Sequence, residues 1–430
     1  MKLVIIGLGT SGFAALLAAK KTNPSIEITV IDPKDFDLLH LCGIPYGIGE
    51  ELELDSLKHN LGLEDMGVKR IKGKAVKIDT RAKLVEVDNN EKAEYDKLLI
   101  APGSTPFIPP VEGKELVHTI TPLENTKKFK QAAEKAKHIA IIGAGAAGLE
   151  TAAELNKKGK DIAVIEMAPR LLPKMTDQDM SDLLKKQLEA KGIKFYIPRG
   201  VERIAKRYVL AEGNKTIKAD AVLMVAGSRP NISFLNNSGI LFDKSIIVNN
   251  KMQTNIEDVY AAGEVAQVKC LINNKPGPSA GAVPAYRQGI IAGINAAGGN
   301  ARYKGIIYTF VTVLDDIEFA SVGFNESLAK ANNIEVVFGR VKGTNTASWF
   351  PNAKDLIVKI LADKSTGKVI GAQALGPGAA KRIEVVATAI AAGMTLEEMQ
   401  DLELAYCPPV SDTYDVLLAA VEQALRKLKR

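Results

Sequence analysis

Three groups of residues in this chain combine types and spacings suited to redox chemistry. Cys42 stands in the stretch His40-Leu41-Cys42-Gly43-Ile44-Pro45-Tyr46, and a cysteine thiolate attacks disulfides and can carry an oxidised sulfur. Upstream of it, Gly7-Leu8-Gly9-Thr10-Ser11-Gly12 follows the apolar run Leu3 to Ile6 and opens a helix-forming stretch, Phe13 to Ala19. The first glycine permits a tight turn, the second lets a pyrophosphate approach the backbone, and the third lets helix pack on strand. The helix N-terminus adds amide donors and a positive dipole end. Asp32 closes the next apolar strand, 25 positions after Gly7, where a carboxylate accepts hydrogen bonds from ribose hydroxyls. This first unit suits a bound flavin. The pattern restarts at Ile139 to Ile142 with Gly143-Ala144-Gly145-Ala146-Ala147-Gly148, an alanine-rich helix to Lys157, and a strand ending in Glu166. This second unit suits a pyridine nucleotide. A carboxylate at Glu166 holds a 2′-hydroxyl and repels a 2′-phosphate, which favours NADH over NADPH, while Arg170 nearby keeps NADPH possible.

The elements that must position these groups are strands and helices in alternation, so the expected fold is α/β, with two Rossmann-like dinucleotide-binding domains and a C-terminal α+β domain. At 430 residues the chain holds two or three cores. The expected division is residues 1–117 and 238–305 for the flavin, 118–237 for the pyridine nucleotide, and 306–430 for the third domain. Alternating strands at Ala75 to Asp79 and Lys83 to Val87 follow the cysteine loop, and Tyr95 to Ala101 is a buried strand broken at Pro102-Gly103. The strand Ala221 to Ala226 closes on Gly227 in the same way, and Val259 to Ala262 closes on Gly263-Glu264. From residue 306 alternating strands dominate, followed by an amphipathic helix from Ala379 to Ala392 and a terminal helix with Val416, Leu417, Ala420, Val421, Ala424 and Leu428 on one face. Residues 50–74 carry no clear period.

Composition narrows the function. The net charge of +6 is spread through the sequence, so no basic arm points to nucleic acid. No apolar run reaches the ~20 residues of a membrane span. Met1-Lys2 leads straight into a strand, leaving no room for a signal peptide. Three widely spaced cysteines, Cys42, Cys270 and Cys407, argue against a disulfide framework and for a reducing, cytoplasmic setting. Each cysteine also has a plain reading as a small buried hydrophobe, and Cys407 has a second as a resolving thiol. His40 reads as a loop histidine, with lowering of the Cys42 thiol pKa as its functional alternative, and Lys20, Lys21, Lys69 and Arg70 are available to substrate phosphates unless they are simply solvated. No metal site is expected.

Over nearly its whole length the chain resembles the flavin-dependent pyridine nucleotide-disulfide oxidoreductases. The likeness is carried by both glycine loops with Asp32 and Glu166, by Ala101-Pro102-Gly103 and Ala226-Gly227, by Tyr260-Ala261-Ala262-Gly263-Glu264, and by Ala405-Tyr406-Cys407-Pro408-Pro409. Pro102 replaces the family's usual threonine, and Glu264 replaces its aspartate, so the contact to the ribityl chain of FAD would be made by a longer arm. The resemblance also places Pro33, Lys34 and Val76 among the cofactor contacts. Members with two redox cysteines carry them five positions apart, but position 47 is Gly47, so the chain is similar to the single-cysteine branch. That branch contains coenzyme A-disulfide reductases, NADH oxidases, NADH peroxidases and persulfide or polysulfide reductases.

Oxidases and peroxidases of the branch tend to carry histidine where Thr10 stands. Tyr406-Cys407-Pro408-Pro409 resembles the Tyr-Ala-Pro-Pro of coenzyme A-disulfide reductases, whose tyrosine reaches the active site of the other subunit. A second tyrosine of those reductases falls near Trp349-Phe350, and Ala14, Ala18 and Leu38 offer no hydrogen bonds where coenzyme A contacts are expected. The resemblance therefore implies a homodimer in which electrons pass from NADH through FAD to an oxidised Cys42, reducing a small disulfide, persulfide or polysulfide, with Tyr406 protonating the leaving thiol. Alternatives are an NADH oxidase that delivers electrons to oxygen, a ferredoxin reductase, and a flavoprotein redox sensor whose dimerisation follows nucleotide binding.

Overall fold

The computed structural model describes residues 1–429. They form two compact units. The first comprises Met1–Gly43, Glu53–Thr105 and Ser228–Ile306. Its centre is a five-stranded parallel sheet in the order Val259–Ala261, Lys97–Ile100, Lys2–Ile6, Glu27–Ile31, Val68–Ile71. Leu3, Ile5, Val30, Leu98, Leu99 and Ile100 are fully or almost fully buried, which is why these strands read as continuous apolar runs rather than alternating ones. The outer strand Val68–Ile71 lies in the stretch whose sequence showed no period, because only Val68 and Ile71 of its four residues are buried.

Helix Thr10–Thr22 packs against helix Ala282–Ala296. The approach is close enough that a Cβ on Gly289 would lie 2.2 Å from the Ser11 carbonyl oxygen, and one on Gly293 would lie 2.2 Å from that of Ala15. An antiparallel sheet of Ala75–Asp79, Leu84–Val87 and Lys92–Glu94 completes this unit's larger features.

The second unit comprises Ile44–Leu52, Pro106–Gly227 and the chain from Ile307 onward. One part is a four-stranded parallel sheet ordered Lys194–Tyr196, Asp161–Ile165, His138–Ile142, Ala221–Met224. Ile204, Val209 and Ile217 from an antiparallel meander share a core with Ile142, Ala163 and Met224 of that sheet. The other part is a five-stranded antiparallel sheet ordered Phe310–Leu314, Ile317–Gly323, Val369–Leu375, Asp355–Asp363, Val336–Thr344. Helices Ala379–Ala392 and Val416–Leu428 pack on it. A Cβ on Gly339 would sit 1.9 Å from the Ala420 carbonyl oxygen, so a glycine is what lets the last helix lie on its strand.

The expected classes, two parallel dinucleotide-binding sheets and a C-terminal α+β part, are present. The strands Val336–Thr344 and Asp355–Asp363 are nine residues each and pair with each other along their whole length. Among the described residues no helix is long and apolar enough to cross a membrane.

Candidate active site

In the first unit the glycine loop takes the shape its sequence requires. Gly7 has φ +90°, and a Cβ there would meet the Ala101 carbonyl oxygen at 2.4 Å. A Cβ on Gly12 would meet the Gly7 carbonyl oxygen at 2.0 Å, whereas one on Gly9 would meet nothing within 4 Å. Two glycines are thus dictated by the protein's own packing, and the third faces open space. Asp32 is buried. Its Oδ2 accepts from Leu8 N at 2.7 Å and from Lys34 Nζ at 2.7 Å, and its Oδ1 accepts from Lys34 N at 2.9 Å. Lys34 Nζ also donates to the Leu8 carbonyl at 3.2 Å, so Lys34 clasps loop and acid together. Pro33 is exposed beside them. The chain recrosses Asp32 at Gly73, whose N donates to the Asp32 carbonyl at 3.3 Å, and Val76, three residues further on, is exposed.

Residues remote in sequence join this cradle. Ser11 Oγ donates to the Ala262 carbonyl at 3.3 Å. Gly263, with φ +85°, leaves room for Ser11, since a Cβ would lie 2.7 Å from Ser11 Oγ. Gly263 N donates to Gln288 Oε1 at 2.9 Å, and Gln288 Nε2 donates to Ser279 Oγ at 2.8 Å. Ser104 Oγ donates to Glu264 Oε2, and Asn231 N donates to the Gly103 carbonyl at 3.0 Å. The turns at Pro102-Gly103 and Gly263-Glu264 are therefore brought beside the loop Gly7 to Gly12. Gln288 and Ser279 escaped the sequence reading. The one local signal for the helix that carries Gln288 is the pair Gly289 and Gly293, spaced to face one neighbour.

Cys42 is exposed and sits in the single 3-10 turn Leu41–Gly43. The turn is tied from behind: Leu38–Leu39 pairs with Lys58–His59, His40 N donates to the Leu57 carbonyl at 3.0 Å, and Gly43 N donates to the His40 carbonyl at 3.0 Å. His40 meets His59 edge-on with ring centroids 4.6 Å apart. Arg70 Nη1 donates to Asp37 Oδ1 at 2.8 Å and its Nη2 to the Phe36 carbonyl at 3.0 Å, and Asp37 Oδ2 accepts from Leu61 N at 2.6 Å. The guanidinium braces the segment leading to Cys42. Lys20 Nζ likewise donates to the Ile26 carbonyl at 3.1 Å. Cys270 is buried.

The second unit repeats the cradle. Gly143 has φ +115°, and its Cβ would meet the Val225 carbonyl oxygen at 2.4 Å; a Cβ on Gly148 would meet the Gly143 carbonyl oxygen at 2.1 Å, and one on Gly145 nothing within 4 Å. Ala146 and Ala147 open helix Ala146–Lys157, and Gly227, with φ +109°, follows the strand beside Gly143. Glu166 Oε2 accepts from Ala144 N at 2.8 Å and its Oε1 from Ala168 N at 2.7 Å.

Behind this loop lies an acidic patch. Thr312 Oγ1 donates to Glu150 Oε1 at 2.7 Å, and Lys157 Nζ donates to Glu154 at 2.7 Å and to Glu51 at 2.8 Å. Burial raises the Glu150 carboxyl above its ordinary value, the Thr312 hydroxyl partly offsets this, and the charge of Glu154 adds to it. Burial also raises the Tyr46 hydroxyl, with Glu150 and Glu154 adding to the effect.

Tyr406 is 46% exposed, and Cys407 beside it is exposed too, not packed away as a structural thiol would be. Their segment is held by Ser411 Oγ donating to the Ala405 carbonyl at 3.0 Å and by Ala347 N donating to the Pro408 carbonyl at 2.9 Å. A buried ion pair, Arg382 Nη2 to Asp415 Oδ2 at 2.8 Å, fixes its far end where Asp415 caps the last helix.

Comparison with known proteins agrees with this geometry. Residues 1–289 match the family described as pyridine nucleotide-disulphide oxidoreductase, and residues 309–417 match the dimerisation domain of the same family. A protein named NADH oxidase from Methanocaldococcus jannaschii is 34% identical, over 100% of this chain and 99% of that protein. A protein named NAD(P)H sulfur oxidoreductase (CoA-dependent) from Pyrococcus furiosus is 30% identical, over 97% of each chain. Among solved structures, a NAD-dependent persulfide reductase from A. fulgidus superposes with a TM-score of 0.95 at 31% identity, covering 100% of this chain and 84% of that one.

Proposed function

The chain belongs to the pyridine nucleotide-disulphide oxidoreductase family, and from that premise we propose that it reduces a small disulfide, persulfide or polysulfide with electrons from NADH, through Cys42. It is an FAD-dependent NAD(P)H oxidoreductase, and the names of its relatives include a sulfur oxidoreductase and a persulfide reductase. The observation that carries the reading is Cys42 itself, exposed on a braced turn in the same unit as the first glycine cradle, with Gly47 where a second redox cysteine would stand.

FAD fits the first unit. The face over Gly9 is open, the amide-rich start of helix Thr10–Thr22 follows it, and Asp32 Oδ1 retains one acceptor site for a ribose hydroxyl. Thr10 and Ser11 lie at that helix start for the pyrophosphate; Ala101, Pro102 and Gly103 border the loop, and Gly263 with Glu264 suits the ribityl chain. Lys34 is placed to meet an anion, and Pro33 and Val76 flank the adenosine side. NADH is assigned to Gly143, Gly145, Ala146, Ala147 and Gly148, with Glu166 on the ribose and Gly227 at the rim. When bound, FAD carries two electrons from the nicotinamide to sulfur.

The protein's residues do the rest. The Cys42 thiolate attacks one sulfur of the substrate, the sulfur–sulfur bond breaks, and one thiolate leaves while Cys42 is held as a mixed disulfide or persulfide. Two electrons and one proton from NADH, with one further proton, release the second thiol and restore Cys42, so each disulfide yields two thiols. Tyr406 of the second subunit protonates the leaving thiolate, which its exposure on a fixed arm supports. Residues 309–417 match a dimerisation domain, and the homodimer follows from it. We assign residues 1–117 with 238–305 to FAD, 118–237 to the coenzyme and 306–430 to dimerisation, a division that the composition of the sheets supports. A reducing, cytoplasmic setting suits a catalytic thiol without disulfide partners.

A second reading, oxygen as acceptor, draws support from the relative named NADH oxidase. The test is anaerobic NADH oxidation with coenzyme A disulfide, glutathione disulfide or polysulfide, set against oxygen uptake. Faster anaerobic turnover with one of these acceptors is expected. Turnover with oxygen alone would leave the oxidase standing in its place.

A further inference from the structure

The loop after Glu166 is gripped by the C-terminal sheet and its short helix. Asp177 Oδ2 lies 2.9 Å from Lys359 Nζ, and Asp179 Oδ1 lies 2.9 Å from the same ammonium, which is 1% exposed; Glu326 completes the set around Lys359. Gln373 Nε2 donates to Asp177 Oδ2 at 2.8 Å, while Asp177 N donates to Gln373 Oε1 at 2.7 Å. Asn325 Nδ2 donates to the Thr176 carbonyl at 3.0 Å, and Glu326 N donates to Asp177 Oδ1 at 2.8 Å. At its other end the loop returns to the coenzyme cradle, where Leu172 N donates to the Ala144 carbonyl at 2.9 Å.

Arg170 sits between those two anchorages. Its Nη2 donates to the Pro173 carbonyl at 3.1 Å and to Ser327 Oγ at 2.9 Å. Its Nε is buried and makes no hydrogen bond among the described residues. Glu166, four positions earlier, holds two backbone amides and takes no ion pair from Arg170 among those described. An arginine close to the acid at the end of this strand is what would accept a 2′-phosphate, and here the guanidinium is occupied by a serine of the C-terminal part.

We infer that Ser327 is a positioning residue for coenzyme choice: by holding Arg170 it withholds the cation that NADPH needs and leaves Glu166 to select NADH. The inference rests on the proposed coenzyme site at Gly143 to Gly148 and deepens it. The hold is confined to Nη2: Nε and Nη1 make no hydrogen bond among the described residues, so loss of the serine leaves only the Pro173 carbonyl to restrain the guanidinium.

The experiment measures KM and kcat of the holoenzyme for NADH and for NADPH in Ser327→Ala, Ser327→Thr, Arg170→Ala and the double variant Ser327→Ala with Arg170→Ala. Ser327→Ala is expected to lower KM for NADPH about fivefold, the scale of one ordinary hydrogen bond, with kcat and the NADH constants unchanged. Ser327→Thr retains the hydroxyl and the original preference. Removing Arg170 as well abolishes the gain. An unchanged NADPH-to-NADH ratio in Ser327→Ala, or a gain that survives loss of Arg170, overturns the inference. Glu166→Ala separates this failure from that of the site: if Glu166→Ala leaves KM for both coenzymes unaltered, the coenzyme site is wrong; if it changes them while Ser327→Ala does not, only the role of Ser327 falls.

Discussion

Both parallel sheets build their cradle by the same device. Gly7 and Gly143 turn with positive φ against the carbonyl of the strand that follows in the sheet, and each sends the next residue's amide, Leu8 N or Ala144 N, to the acid closing the second strand. The acids themselves differ. Asp32 is buried and its charge is matched by Lys34 at 2.7 Å, whereas Glu166 is half-buried and accepts only backbone amides among its described contacts. A buried carboxylate needs a counter-charge, and an arrangement that supplies one in advance is built for a cofactor that stays. A half-exposed carboxylate that takes no ion pair among the described residues suits a coenzyme that arrives and leaves every turnover. The contrast supports the proposed assignment, in which the first site keeps its cofactor and the second exchanges its coenzyme.

The largest test of this contrast concerns which unit holds the acceptor chemistry. Cys42→Ser is expected to lower disulfide or polysulfide turnover by about a thousandfold or more, as loss of a nucleophile does, with the flavin spectrum and NADH binding retained. Substantial remaining turnover would move the chemistry away from the first unit.

A smaller effect distinguishes the two docking faces. Gly9 and Gly145 both look onto open space, so valine at either position leaves the fold intact and fills the ligand's place. Gly9→Val is expected to purify without flavin, while Gly145→Val keeps its flavin and shows KM for NADH raised by about 100-fold, roughly 2.7 kcal/mol. Loss of flavin from both variants, or from neither, would erase the distinction.

The acids come next. Asp32→Asn leaves the Lys34 ammonium without its counter-charge. Lys34 is about a quarter exposed, so the loss falls below that of a fully buried pair, at about 2 kcal/mol of stability in denaturant unfolding. Glu166→Gln keeps an acceptor for one of the two amides, loses the other and strands no cation; it is expected to cost less stability than Asp32→Asn and to raise KM for NADH about tenfold, or about 1.4 kcal/mol. Equal stability losses at the two positions would show that Asp32 is not specially furnished.

Much of each cradle was legible because its constraints are local. A glycine that would collide with a carbonyl at the end of the neighbouring strand still announces itself by spacing, and helix Ala146–Lys157 ends where its alanine-rich pattern ends. What could not be read depends on pairs far apart in the chain. Gln288 reaches Gly263, and Ser11 reaches the Ala262 carbonyl, across a helix contact that only the fold creates. Arg70 carries the same charge whether it meets a phosphate or Asp37, and nothing in its neighbours' types distinguishes the two. Lys359 belongs to a strand that reads as apolar, and only the packed sheet brings three carboxylates to it.

The smallest expected effect lies on the two helices behind the glycine loops. Counting from Gly7 and from Gly143, Ala14 and Glu150 hold equivalent places, and burial raises the Glu150 carboxyl above its ordinary value of 4.5. An acid whose folded value is raised favours the folded state in its protonated form. That contribution is fully present below about 4.5 and is lost as pH climbs through the raised value. Glu150→Gln keeps an oxygen for the Thr312 hydroxyl at 2.7 Å but cannot ionise, so its melting temperature should match that of the parent below pH 4.5 and exceed it increasingly toward neutrality. In Ala14→Gln the equivalent helix has no acid to lose, and its melting difference from the parent should be the same at every pH. A Glu150→Gln difference that stays flat with pH, or that reverses sign above neutrality, would mean that the second helix holds its carboxyl as comfortably as water does, and the two helices would then differ in sequence without differing in electrostatics.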